Sequence, residues 1–182
     1  MFFQKARKRF YIIRPVYRVR NMITSTVKIS DLLTEERVCL GWPDAKKCDK
    51  FQLIQKMADI TTSGVSFSNK QKKEIYEALL HREKSMSTGI GEGVALPHAS
   101  VSFLIEPLIS MCILPGGIDF KAIDFQPAEI IVLILSPKGN SQMHISTLGA
   151  ITKTLHVKSF RQALLKATSS AEVIGLLKAN EK

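Results

Sequence analysis

The sequence predicts a single α/β domain in which a central sheet is covered by helices on both faces. Three observations lead there. Stretches with helical apolar spacing alternate with stretches of strand character. Two strand candidates, Leu108 to Leu114 and Glu129 to Leu135, are short unbroken runs rich in Ile, Val and Leu, the pattern of strands buried on both sides. The chain has 182 residues, 45% apolar and 23% charged, which suits one domain with a core that holds itself together.

Taken in order, Ile29 to Leu33 is a short apolar patch before a charged loop. From Lys46 to Ile60 the apolar residues Phe51, Ile54, Met57 and Ala58 recur at helical spacing, and Gly64 is a stop signal. A second helix is expected from about Lys70 to Arg82, capped by Ser68 or Asn69, with Ile75, Tyr76, Leu79 and Leu80 on its apolar face. A glycine-rich loop, Ser87 to Gly93, leads into the short apolar run Val94 to Leu96, which Pro97 ends. Pro115-Gly116-Gly117 reads as a turn after the first long strand. A third helix begins near Ser141 and keeps Ile145, Leu148, Ile151, Thr152 and Leu155 on a rhythm of three or four residues. Two short helices close the chain, the last opening on a Ser169–Glu172 capping box.

Composition excludes several classes. The apolar run Ile130 to Leu135 is far short of the ~20 residues of a membrane span. Cys39, Cys48 and Cys112 are odd in number and form no CxxC pair, so they read as reduced cytosolic thiols rather than as a zinc site or a disulfide framework. The net charge of +10 is unevenly placed. Residues 1–22 contain seven Lys and Arg and no acid, whereas the remaining 160 residues carry only +3. The expected organisation is therefore a basic, flexible arm over 1–22 and a nearly neutral domain over 23–182. Such an arm can touch nucleic acid or an anionic membrane. It equally reads as a plain extension ahead of a start at Met22. Its longest apolar stretch, Phe10 to Ile13, is too short for a secretory signal, and it has no serine.

Four histidines are present, and two invite chemistry. His98 follows three alternating glycines, Gly89, Gly91 and Gly93. That spacing is neither GxGxxG nor a phosphate loop, but it forces a tight bend whose N–H groups can cradle an anion. Pro97 holds Leu96 extended and presents His98 at a strand end. His144 falls in the first turn of the third helix, where the dipole disfavours imidazolium and favours a nearby anion. Arg82 precedes the glycine region and has the planar fork a phosphate wants. On the residues alone, each also fits a bland role: a half-buried histidine after a strand, a surface histidine at a helix start, and a surface arginine. His81 reads as solvated, and His156 sits at a helix end, where a cation suits the dipole; neither is assigned a role. No metal constellation and no Ser-His-Asp order is present.

The run Arg82-Glu83-Lys84, then Ser87-Thr88-Gly89-Ile90-Gly91-Glu92-Gly93-Val94-Ala95-Leu96-Pro97-His98, resembles the active-site signature of the mannitol/fructose class of enzyme IIA. These proteins belong to the bacterial phosphoenolpyruvate-dependent phosphotransferase system. A second segment agrees: Ile118-Asp119-Phe120, Ala122-Ile123-Asp124 and Gln126-Pro127 before an apolar strand, with His144 following on a helix. The likeness covers about residues 28 to 178, and the nitrogen-regulatory subtype is the nearest.

The resemblance implies a type-2 EIIA fold with a mixed central sheet. It implies that His98 is phosphorylated at Nε2, that His144 is the second active-site histidine, and that Arg82 neutralises the phosphoryl group. Thr88, Gly89, Gly91 and Gly93 become phosphate-loop candidates. The implied partners are an HPr-like phosphocarrier and either a regulatory target or a IIB component; no metal or cofactor is implied, and the place is the cytoplasm. The expected function is a phosphocarrier acting mainly as a nitrogen-type switch. The alternatives are a sugar-uptake IIA passing phosphate to a IIB component and a binding module without transfer. Ala99-Ser100 stand where the family often has Gly followed by Lys or Thr, a departure that bears on transfer rate and partner choice.

Overall fold

The computed structural model describes residues 27–42 and 48–181. The 1–22 arm lies outside them, as does the expected helix start near Lys46. A short helix α1 (Ile29–Leu32) and a 3-10 turn precede strand β1 (Val38–Leu40). Helices α2 (Lys50–Thr62) and α3 (Asn69–Ser85) follow, then strands β2 (Gly89–Gly91), β3 (Val94–Ala95), β4 (His98–Val101), β5 (Leu108–Ile118) and β6 (Ala128–Pro137). Helices α4 (Ser141–His156), α5 (Lys158–Lys166) and α6 (Ser170–Asn180) complete the domain.

Caps decide the helix starts. Asp49 and Ser68 accept from the third backbone N–H of α2 and α3, and Gln52 and Gln71 answer reciprocally. The cap of α4 is Asn140, whose side-chain oxygen takes Met143 N–H at 3.0 Å, and the helix starts at Ser141 as expected. Ser169 caps α6 as expected, but Glu172 reaches one residue further back, to the Thr168 amide at 2.8 Å. The expected box is thus only half formed.

The sheet runs β1-β5-β6-β3-β2, with β4 also paired to β6. It is mixed: β5 and β6 are antiparallel, while β1 runs parallel to β5, and β3 and β4 run parallel to β6. Strand alternation divides the core in two. Ile130, Val132 and Ile134 pack with α1, α4, α5 and α6, while Ile131, Leu133 and Leu135 pack with α2 and α3. Each such side chain contributes ~1.5–3 kcal/mol by leaving water, and both faces of β6 are used, which is why Ile130 to Leu135 is apolar without interruption.

Two expectations change. Pro115-Gly116-Gly117 is not the end of β5. The strand continues to Ile118 through a bulge, with Gly116 and Gly117 at φ +91° and +63°. A Cβ on Gly117 would come within 2.8 Å of Pro127, so the two chains approach as only glycine permits. His98, expected at the end of a strand, instead opens one: β3 stops at Ala95 ahead of Pro97, and β4 begins at His98. Ala95 pairs with Ile131 and His98 with Ile134, so β3 and β4 keep one register on β6 across the proline. The Pro97 carbonyl still accepts from Ile134 N–H at 2.9 Å, although proline has no N–H to give.

Candidate active site

The site is assembled from three elements: the C-terminal part of α3, the start of β4 and the first turns of α4. On α3, Ala78, His81 and Arg82 share a face by helical spacing and turn towards β4. The next residue, Glu83, points the other way and is buried. Its carboxylate takes Lys50 Nζ at 2.6 Å and the Thr88 amide at 3.1 Å, and the Thr88 hydroxyl donates to it as well. That buried anion therefore ties the end of α3 to α2 and to the segment entering β2. It fixes the helix turn from which Arg82 extends, and it does not itself reach the cleft.

His98 is half-buried at the first position of β4. Its Nδ1 lies 2.7 Å from the Leu96 carbonyl. A carbonyl can only accept, so Nδ1 carries the proton and Nε2 keeps its lone pair. Arg82 Nε donates to that Nε2 at 3.0 Å, and Arg82 Nη1 is anchored on the Met86 carbonyl at 2.8 Å. Leu96 and Pro97 form the link between β3 and β4, and the Leu96 carbonyl meets the ring two residues on.

His144 comes from α4, with its ring centroid 5.3 Å from that of His98 and the planes inclined at 53°. Its Nδ1 is 3.0 Å from Ser136 Oγ. Burial lowers the His98 pKa; the Leu96 hydrogen bond opposes this, and the neighbouring Arg82 and His144 add to it. Burial, then Arg82, lowers that of His144. Both shifts favour neutral rings at neutral pH. The three side chains line an open cleft of about 410 Å³, with Ser100 and the exposed His81 on its wall. A neutral nitrogen nucleophile beside a guanidinium, in a cleft open to solvent, is equipped to take up and hold a small anionic group.

The glycine region is elsewhere. Thr88 spends its amide and hydroxyl on Glu83, and the Gly89 amide donates to Ser87 Oγ. Gly91 and Gly93 flank the turn between β2 and β3, with φ +89° and +75°. The Glu92 amide between them already binds an anion, the Asp124 carboxylate, at 2.7 Å. Four strand residues, ~13 Å, separate Val94 from His98, so this turn sits at the far end of the β3–β4 line. The structure brings His98, His144 and Arg82 together and leaves Thr88, Gly89, Gly91 and Gly93 outside their cleft.

Sequence reasoning passed over Ser136, which nothing local marks, and gave His81 no role; its place three residues after Ala78, on the face that turns to β4, could have flagged it. Among the described residues, no group of three or more His, Cys, Asp or Glu is placed to hold a metal, and no helix is long and apolar enough to cross a membrane.

Residues 32–180 match the family model described as phosphoenolpyruvate-dependent sugar phosphotransferase system, EIIA 2. The chain is 30% identical over 156 residues to the fructose-specific EIIABC component of Bacillus subtilis, covering 86% of this chain but only 24% of that protein. It is 30% identical over 146 residues to a nitrogen regulatory protein of Bradyrhizobium diazoefficiens, covering 80% and 91%. The fold matches nitrogen regulatory protein IIA-Ntr from Neisseria meningitidis with a TM-score of 0.73 and 26% identity, over 82% of this chain and 98% of that one. Enzyme IIA mannitol of Escherichia coli, solved in complex with phosphorylated enzyme IIB mannitol, matches at a TM-score of 0.67 and 25% identity, over 81% and 99%. With a family model spanning most of its length and its sheet and helices matching those structures, the chain belongs to the type-2 EIIA family of the phosphotransferase system.

Proposed function

We propose that this protein is a phosphocarrier that accepts a phosphoryl group on His98 Nε2 from an HPr-like protein and acts mainly as a nitrogen-type regulatory switch in the cytoplasm. The observation that carries this reading is the fixed His98 ring: its Nδ1 proton is held by Leu96, and its free Nε2 faces a guanidinium. In the transfer, the Nε2 lone pair forms a P–N bond as the donor's P–N bond breaks. Nδ1 keeps its proton, and the donor imidazole recovers its lone pair. Arg82 exchanges its hydrogen bond to Nε2 for the phosphoryl oxygens. His144 stands close enough to stabilise the same charge.

Regulation follows from electrostatics. The phosphoryl group brings negative charge to a cleft with an arginine in its wall, which changes affinity for any partner that docks there. Beside the cleft, Ile145, Leu148 and Thr152 on α4 line an apolar groove of about 570 Å³, a surface suited to a protein partner. The 30% identity to a nitrogen regulatory protein, over 91% of its length, supports the regulatory role. Likeness to a fructose-specific EIIABC component and to a mannitol IIA caught with its IIB supports a second reading, sugar uptake through a IIB component.

The test incubates the protein with phosphoenolpyruvate and the upstream carriers and maps the label at neutral pH. The expected product is an acid-labile, alkali-stable phosphohistidine at residue 98, absent from His98→Ala. Label on His144 in that variant reverses the roles. A folded protein that takes no label overturns the phosphocarrier reading.

A further inference from the structure

Ser136 lies in β6, two residues beyond Ile134, the ladder partner of His98. Strand alternation therefore puts its side chain on the sheet face that His98 occupies. The residue is fully buried. Among the described residues, the hydrogen-bond partner of its hydroxyl is His144 Nδ1, at 3.0 Å. A hydroxyl has one proton to give, and Nδ1 of a neutral imidazole is either donor or acceptor, according to tautomer. If Nδ1 carried the proton, the hydroxyl would have to accept, and its own O–H would be buried without an acceptor. If Nδ1 is bare, the hydroxyl donates and both groups are satisfied.

We propose that Ser136 selects the Nε2–H tautomer of His144 and so makes that ring a fixed hydrogen-bond donor towards the phosphoryl group on His98. The inference rests on the phosphocarrier reading of the site and deepens it. The two histidines then hold opposite tautomers for opposite tasks. The Leu96 carbonyl keeps the proton on His98 Nδ1 and frees Nε2 to attack. The Ser136 hydroxyl keeps the proton on His144 Nε2, which can donate without losing it. Two like tautomers would fail: with Nε2 of His144 bare, its lone pair would face the phosphoryl oxygens and a donor would be lost, and two Nε2–H groups would leave no nucleophile at Nε2. Ser136 touches no reacting atom and is a positioning residue.

Nitrogen-15 spectra of the imidazole rings read the tautomers directly in the full-length, unphosphorylated protein. The expected result is Nδ1–H on His98 and Nε2–H on His144. In Ser136→Ala the Nδ1–H form of His144 should appear. Transfer should slow several-fold, less than the ~100-fold that follows outright loss of such a donor. In a His144→Gln background, where the side-chain amide offers a donor and has no tautomers, Ser136→Ala should add no further loss. Equal loss in both backgrounds, or an unchanged His144 tautomer in Ser136→Ala, would make Ser136 merely structural and overturn the proposal. Nδ1–H on His144 in a wild-type protein that does take label overturns the role of Ser136 alone. A His98 that takes no label overturns the carrier reading and, with it, the purpose assigned to Ser136.

Discussion

The β3–β4 line has two ends, and each places backbone groups beside charged side chains. At the Gly91–Gly93 end, the Glu92 amide is occupied by Asp124, and the Glu92 carboxylate is paired with Arg161 at 2.6 Å. Arg161 in turn donates to the Leu155 and His156 carbonyls at the end of α4. There the Asp124 carboxylate is met by an amide and the Glu92 carboxylate by a guanidinium of the same chain. At the His98 end, among the described residues, Arg82 meets only a neutral imidazole and a carbonyl. One end has been supplied with its anion by the fold, and the other is equipped to receive one. Donors make a binding site only while they are unspent, and glycine spacing alone does not report that.

The largest effect should come from the receiving end. His144→Ala should leave label on His98 but slow its onward passage ~100-fold, measured as the decay of phosphoprotein on adding an acceptor. Equal rates would detach His144 from the site.

Arg82→Lys should come next. It keeps the charge but loses the fork and the Met86 anchor, so labelling should slow about tenfold while the thermal midpoint holds. Unchanged kinetics would make Arg82 a surface residue.

Gly91→Ala tests the other end. At φ +89°, with the new Cβ 3.1 Å from Asp124 Oδ2, it should destabilise the fold by ~1–2 kcal/mol in chemical denaturation while leaving labelling of the folded protein unchanged. A loss of labelling without a loss of stability would return the glycine turn to the site.

pH separates the ends more gently. The folded pKa values of His98 and His144 lie below the ordinary 6.5, so the native state binds fewer protons than the unfolded chain. Stability is therefore full above about pH 6.5 and falls as pH drops towards the folded values. His98→Ala should flatten the difference between denaturation midpoints at about pH 7.5 and about pH 5.5. The smallest effect should come from starting the chain at Met22, since every motif lies beyond it. Labelling should change less than tenfold, or ~1.4 kcal/mol.

Much of this was legible in advance. Helical spacing over Phe51 to Ala58 and Ile75 to Leu80, and the apolar runs Met111 to Leu114 in β5 and Ile130 to Leu135 in β6, report burial directly. A side chain's repeat along an element dictates which face it presents, whatever the rest of the chain does. The motif around His98 singled out the histidine we propose as nucleophile, and cap residues such as Ser68 and Ser169 act on amides three residues away. Those signals are local, so the sequence by itself determined most of the elements, the class and the candidate histidine. The remainder depended on residues far apart in the chain. Whether the Glu92 amide is free depends on Asp124, 32 residues later. That His98 has its lone pair at Nε2, with Arg82 on it, depends on a carbonyl bent beneath the ring and a helix 16 residues upstream. That His144 arrives beside it, with Ser136 behind, depends on the register of β4 on β6. Only the tertiary structure decided these, because a tautomer or a spent donor is a property of a hydrogen-bonded pair, and the partner is chosen by packing rather than by neighbours in sequence.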